Sequence, residues 1–236
     1  PEADKLENKD YNRVKIRKLI AGSFLNWRGD LGSELKISLN YEDIRVEDTE
    51  NRFIGTQTDI NPDVFNSQKF INSEIGYNFE NYDDKAFPAL GMSTDIKFGF
   101  TSNLENSRNF SYLIPSISFI HKLNSSGQLV FATKLKSHFT FGDSYNFFQA
   151  ASIGANEGLR GYRNQRFTGK NAFYHSSDIR LNIQEFKTAL LPINVGIFGG
   201  FDYGTVWGQD DTTFKGSKFN NSYGGGVFFN FVDMVS

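Results

Sequence analysis

Residues Leu129-Val-Phe-Ala-Thr-Lys-Leu-Lys-Ser-His-Phe-Thr-Phe141 decide the fold, because their side chains sort by parity. Leu129, Phe131, Leu135, Phe139 and Phe141 share one parity, while Lys134, Lys136, His138 and Thr140 share the other. Helical spacing would bring apolar residues back every three or four positions, and here they return every two. In a β-strand successive side chains point to opposite faces, so this segment is a strand with one oily and one charged side.

The same alternation recurs along the chain. Ile193, Val195, Ile197, Phe201, Tyr203 and Trp207 oppose Asn194, Gly196, Gly200, Asp202 and Gly204, and Leu113, Ile117 and Phe119 oppose Ser116 and Ser118. Counting by parity gives nine expected strands, at 13–27, 34–48, 68–81, 87–101, 111–123, 128–141, 171–186, 193–207 and 222–235. They are long: strands of soluble proteins usually hold about five or six residues, whereas crossing a bilayer takes about 9–11 tilted residues. Tight links at RGDLGS, YDDKAF, NSSG and KTALLP alternate with longer ones at 49–67, 102–110, 142–170 and 208–221. Short turns at one end and long loops at the other are the asymmetry of an outer-membrane barrel.

Composition agrees with two-faced walls. The 236 residues include 25 Phe and 10 Tyr, yet the mean hydropathy is −0.43. No apolar run reaches the roughly 18–20 residues of a membrane-spanning helix. A soluble sandwich or lipocalin-like barrel also alternates, but it turns its oily face inward and keeps few charges in its core. Here the polar parity carries Lys36, Glu42, Glu74, Lys134, Lys136, Asp178, Arg180 and Asp202, which suits a wet or ion-paired interior. The expected fold is therefore all-β, an antiparallel transmembrane β-barrel. Phe131, Phe139, Phe141 and Val195 face lipid, Lys134, Lys136 and Arg180 face the lumen, and Trp27 and Trp207 at strand ends suit an interfacial belt.

A net charge of −2 and a pI near 6.0 give no global field for nucleic acid. Positive charge is concentrated locally in Gly158-Leu-Arg-Gly-Tyr-Arg-Asn-Gln-Arg166. Without context, such a stretch reads as a solvated loop. Asp178 and Asp202, inward on neighbouring strands, supply another reading, since two carboxylates match the planar fork of a guanidinium. Gly158 and Gly161 then let the backbone turn beside that contact.

Catalytic patterns are weak. In the segment before Lys170, Asn164 stands where a phosphate loop needs its first glycine, and Asn171 replaces the Ser or Thr. His121, His138 and His175 are scattered, so no metal site is expected. With no cysteine, thiolate chemistry is excluded, and no serine-nucleophile elbow occurs. An arginine between Asp178 and Asp202 would hold both ionised, which is wrong for a general acid. The expectation is a non-enzyme without cofactors.

Three ordered matches within residues 145–235 carry a family resemblance: Arg160-Gly161-Tyr162, Asp178-Ile179-Arg180, and Gly200-Phe-Asp-Tyr-Gly-Thr-Val-Trp207. Together they resemble the bacterial surface antigen barrel, the C-terminal domain of BamA-type outer-membrane assembly factors, which has sixteen strands. The resemblance implies a loop at 142–170 folded back into the lumen, where Arg160 meets acidic groups of the inner wall. It also implies an integral outer-membrane location and a role in inserting other outer-membrane proteins, with lipid, client barrel proteins and accessory assembly subunits as partners.

Two rival functions share this architecture: a polypeptide secretion pore of the same superfamily, and an anchoring barrel attached to a separate, soluble and possibly enzymatic domain. Nine strands are an odd, unclosed set, and bare strand edges cannot face lipid. Residues 1–236 are accordingly expected to be one partial barrel domain, completed by strands beyond the C-terminus and before the N-terminus.

Overall fold

The computed structural model describes residues 11, 13–56, 62–106, 108–142, 144–187, 192–208 and 218–231. Nine long strands form one antiparallel sheet: β1 (Ile16–Arg28), β2 (Ser33–Val46), β3 (Gln68–Tyr82), β4 (Gly91–Asn103), β5 (Asn109–Lys122), β6 (Leu129–Phe141), β9 (Asn171–Lys187), β10 (Pro192–Trp207) and β11 (Asn220–Phe231). Each strand follows its predecessor in sheet order, the up-and-down connectivity of a barrel wall. The connection between β6 and β9 carries a small hairpin of its own, β7 (Ala151–Ile153) with β8 (Phe167–Gly169). Among the described residues no helix is long and apolar enough to cross a membrane, which says nothing of a β-barrel.

The sheet curls. Counting strands, β11 lies five positions beyond β4, which on a flat sheet would separate them by roughly 24 Å. Yet Phe87, in the turn before β4, lies 5.3 Å from the Phe228 ring of β11. A wall bent around an interior brings the two together.

Parity assigns the two faces. The inner face, which holds the β6–β9 connection, carries Lys134 and Lys136 on β6, Ser176, Asp178 and Arg180 on β9, and Asp202 on β10. The opposite face carries Phe131, Phe139, Phe141 and Val195 together with Ile179, Ile197, Phe201, Val227 and Phe229. Phe229 remains 61% exposed and Val227 58%. Burying such a surface in water-excluding lipid is favourable by about 25 cal/mol per Å² of apolar area. At the loop end of this outer face the rings of Phe139 and Trp207 stand 6.2 Å apart, those of Phe173 and Tyr203 6.2 Å, and those of Tyr203 and Phe219 6.1 Å. Trp27 closes β1 at the opposite, turn end. Aromatic groups at both rims match the two interfacial girdles of a membrane barrel.

Caps cover the inner face near the loop end. Tyr11 packs edge-on against Phe53, and Ile44, Val46 and Ile54 are buried. Phe148 meets the buried Phe70, and Tyr145 meets Phe110. The hairpin contributes Ala151, Ile153 and Leu159, which pack on Ala172 and Tyr174 of the wall.

One strand starts later than its pattern suggests. Residues 87–90 continue the alternation, but β4 begins at Gly91. Asp83 accepts from the amides of Ala89 and Leu90, each at 2.9 Å, and Asp84 accepts from those of Ala86 and Phe87. These bonds hold 83–90 as a folded turn. The links at 188–191 and the segment 232–235 lie outside the described residues.

Asp83 also pairs with Lys122 Nζ at 3.0 Å. Burial pushes its carboxyl up, but the Leu90 amide, Lys122 and the Ala89 amide together bring it down to about 2, from an ordinary 3.8. A depressed folded-state pKa stabilises above the unfolded value and is lost as protons bind. The turn should therefore keep its order above pH 4 and loosen as pH falls toward 2. Amide exchange of Ala89 and Leu90 across that window checks this, and pH-independent protection would contradict it.

Candidate functional site

Arg160 sits at the tip of the β7–β8 connection, and local geometry explains how it arrives there. Leu159 and Glu157 donate their amides to the carbonyls of Gly154 at 3.0 and 2.9 Å, folding 154–159 into a compact turn. Gly158 adopts φ +83°, and a Cβ there would lie 2.0 Å from the Tyr174 ring, so only glycine fits. Leu159 is fully buried. It anchors the turn, and the next residue is left aimed along the wall.

There the guanidinium spans two strands. Nε donates to Asp202 Oδ2 at 2.7 Å, Nη2 to Asp202 Oδ1 at 2.6 Å, and Nη1 to Asp178 Oδ1 at 2.7 Å. Arg160's own backbone amide also donates to Asp202 Oδ2 at 2.9 Å. The Ser176 and Ser222 hydroxyls complete the Asp202 shell at 2.7 and 3.1 Å. Asp202's side chain is only 2% exposed, Arg160's 24%. Such bidentate, charge-assisted bonds are the strong class. Bonding to Asp202 dominates over burial and, with Asp178, raises the Arg160 pKa above its ordinary value, so the charge is fixed.

The sheet register explains how the wall accommodates this group. Ser176, Asp202 and Ser222 are cross-strand partners in one row, and Asp178, Gly200 and Gly224 form the next. A side chain at Gly200 would place its Cβ 2.0 Å from Asp178 Oδ1 and 2.1 Å from Arg160 Nη1. At Gly224 it would crowd Arg160 Cδ at 3.1 Å. Ser176, Ser222, Gly200 and Gly224 are thus parts of the site that parity alone does not single out; only register does, and a bulge at Val195/Gly196 offsets it.

Other residues of the charged stretch diverge. Gly161 takes φ +79°, and Tyr162 donates its hydroxyl to the Asn221 carbonyl at 3.1 Å, tying the loop to β11. Arg163 and Arg166 are exposed. Lys136 bonds Glu157 of the loop at 2.6 Å, while Lys134 borders, with Arg160 and Asp178, a cavity of about 560 Å³. Arg180 stands apart: it donates to the Pro88 carbonyl at 2.6 Å. The arrangement holds a loop against a wall through fixed charges, and its carboxylates are committed to structure rather than to proton transfer.

Residues 38–227 match the family described as haemolysin secretion/activation protein ShlB/FhaC/HecB. Among solved structures the chain is similar to BamA from Haemophilus ducreyi lacking POTRA domains 1–3, with a TM-score of 0.60 and 15% identity over 91% of this chain. It is also similar to CdiB from Escherichia coli, with a TM-score of 0.59 and 15% identity over 92% of this chain. The chain spans 55% of that BamA and 39% of CdiB. No curated protein matches it in sequence. At such identity these likenesses establish the barrel fold alone, and they do not single out the BamA-type branch expected from the sequence. The family match goes further: the chain belongs to the haemolysin secretion/activation family ShlB/FhaC/HecB.

Proposed function

We propose that this chain is part of the wall of an outer-membrane barrel that passes a polypeptide to the cell exterior, with the 142–170 connection as its internal closure. The observation that carries this reading is the family match, on a wall whose inner face grips Arg160 through Asp178 and Asp202 while the opposite face stays apolar. Lys134, Lys136 and Arg180 line the interior, and Phe131, Phe139, Phe141 and Val195 contact lipid. Arg160, Gly161 and Tyr162 act as a latch, tying the loop to β9, β10 and β11. Secretion stands ahead of the assembly role because the family match covers residues 38–227.

Assembly of client barrel proteins is the second reading, favoured by the firmness of the closure. A loop fixed by several charge-assisted bonds and a buried Leu159 suits an interior that never empties. In that mechanism the barrel would thin the bilayer and offer a strand edge to a client. Depleting the full-length protein from its parent cell separates the two. Loss of one or a few polypeptides from the medium, with the outer-membrane profile intact, is the expected result. General loss of barrel proteins from the membrane favours assembly, and no change in either compartment contradicts both.

A further inference from the structure

The second inward-folded segment is the turn 83–90 between β3 and β4, which approaches the interior from the end opposite the Arg160 loop. Phe87 lies between two groups of the far wall: the Arg180 guanidinium, 4.9 Å from its ring centroid, and the Phe228 ring at 5.3 Å. Arg180 Nη2 also donates to the carbonyl of Pro88 at 2.6 Å. Its Nε is buried and bonds nothing among the described residues. Gly196 makes room for this arrangement, because a Cβ there would lie 2.2 Å from the Phe228 ring.

Both contacts are of a kind that any extended polypeptide can make. The ring contact asks for an aromatic side chain over a cation, and the hydrogen bond asks for a main-chain carbonyl one residue later. Neither requires the rest of the 83–90 turn. The turn is instead pinned from its own side, by the Asp83 carboxylate on the amides of Ala89 and Leu90 and on Lys122. The wall therefore presents a receptor for an aromatic residue and the following carbonyl, and the chain's own Phe87–Pro88 fills it.

We infer that Arg180 and Phe228 form a polypeptide-binding subsite of the interior, which takes an aromatic residue of an extended client segment and for which Phe87–Pro88 is a resident placeholder. The inference rests on the polypeptide-handling reading above and names the chemistry that the interior selects. Charge and ring fix the preference: an aliphatic side chain offers no quadrupole to the guanidinium.

The test uses detergent-solubilised full-length protein and a fluorescein-labelled peptide of the sequence Asp84-Lys-Ala-Phe-Pro-Ala-Leu90, read by fluorescence anisotropy. Phe87→Ala empties the subsite and should bind the peptide about tenfold more tightly than the parent chain. Adding Arg180→Gln should abolish that gain, as should replacing the peptide's phenylalanine by leucine. Equal binding by the parent and Phe87→Ala, or a leucine peptide that binds as well, overturns the proposal. On the unaltered chain, saturating peptide should speed amide exchange at residues 86–90 by displacing the turn; unchanged exchange overturns it without any variant having to fold. Because this readout needs no secretion, it fails independently of the depletion experiment.

Discussion

Replacing Arg160 with alanine should destabilise the barrel by about 3–5 kcal/mol, the cost of leaving a buried carboxylate without its cation. Asp202 would keep only neutral donors, the Ser176 and Ser222 hydroxyls and the backbone amide of residue 160, in a position 2% exposed to solvent. Arg160→Lys should recover part of the loss. An ammonium is a point charge and cannot reproduce a fork that reaches Asp202 through Nε and Nη2 and Asp178 through Nη1. Urea unfolding of the full-length protein in detergent, followed by heat-modifiable gel migration, gives both numbers. A change below about 0.5 kcal/mol for Arg160→Ala would place the ion pair with ordinary surface pairs and remove the basis for a latch.

Gly200→Ala should be nearly as severe, at about 3 kcal/mol, because the new methyl takes the space of the guanidinium and leaves the same carboxylate uncompensated. Gly199→Ala is the natural control. Its Cβ would meet nothing within 4 Å, so about 0.5 kcal/mol or less is expected. The more decisive comparison is the pair. If Gly200→Ala acts by expelling Arg160, then Gly200→Ala with Arg160→Ala should cost little more than either alone, a large departure from additivity. Additive costs would mean that Gly200 matters for a reason unrelated to the arginine.

The wall was legible because parity is local. Each of the nine strands announces itself by side chains that alternate, and the faces follow from which parity holds Lys134, Asp178 and Asp202. What lay beyond reach depends on distant partners. Phe87 and Ala89 alternate like strand residues, yet Asp83 and Asp84 hold them in a turn and Arg180 draws Phe87 inward from across the interior. The hairpin of β7 and β8 has strands of three residues, too short to show a period, and it forms because Ile153 and Leu159 find Ala172 and Tyr174. Within the site, Arg160, Asp178 and Asp202 were visible as charges with a common destination. Ser176, Ser222, Gly200 and Gly224 were not, since small residues acquire meaning only when register sets them beside a guanidinium.

The arginine grip also has a dynamic consequence. Because Arg160 bonds β9 and β10 while Tyr162 bonds β11, releasing the loop loosens three strands together rather than one. Opening should accordingly be cooperative, with the interior either closed by the loop or cleared of it.

Single-channel recording on full-length protein in planar bilayers tests the internal closure most directly. The parent protein should stay mostly closed, Arg160→Ala should open more often, and removal of residues 155–170 should give a large, steady conductance. Equal conductance in all three would mean that the loop does not close the interior.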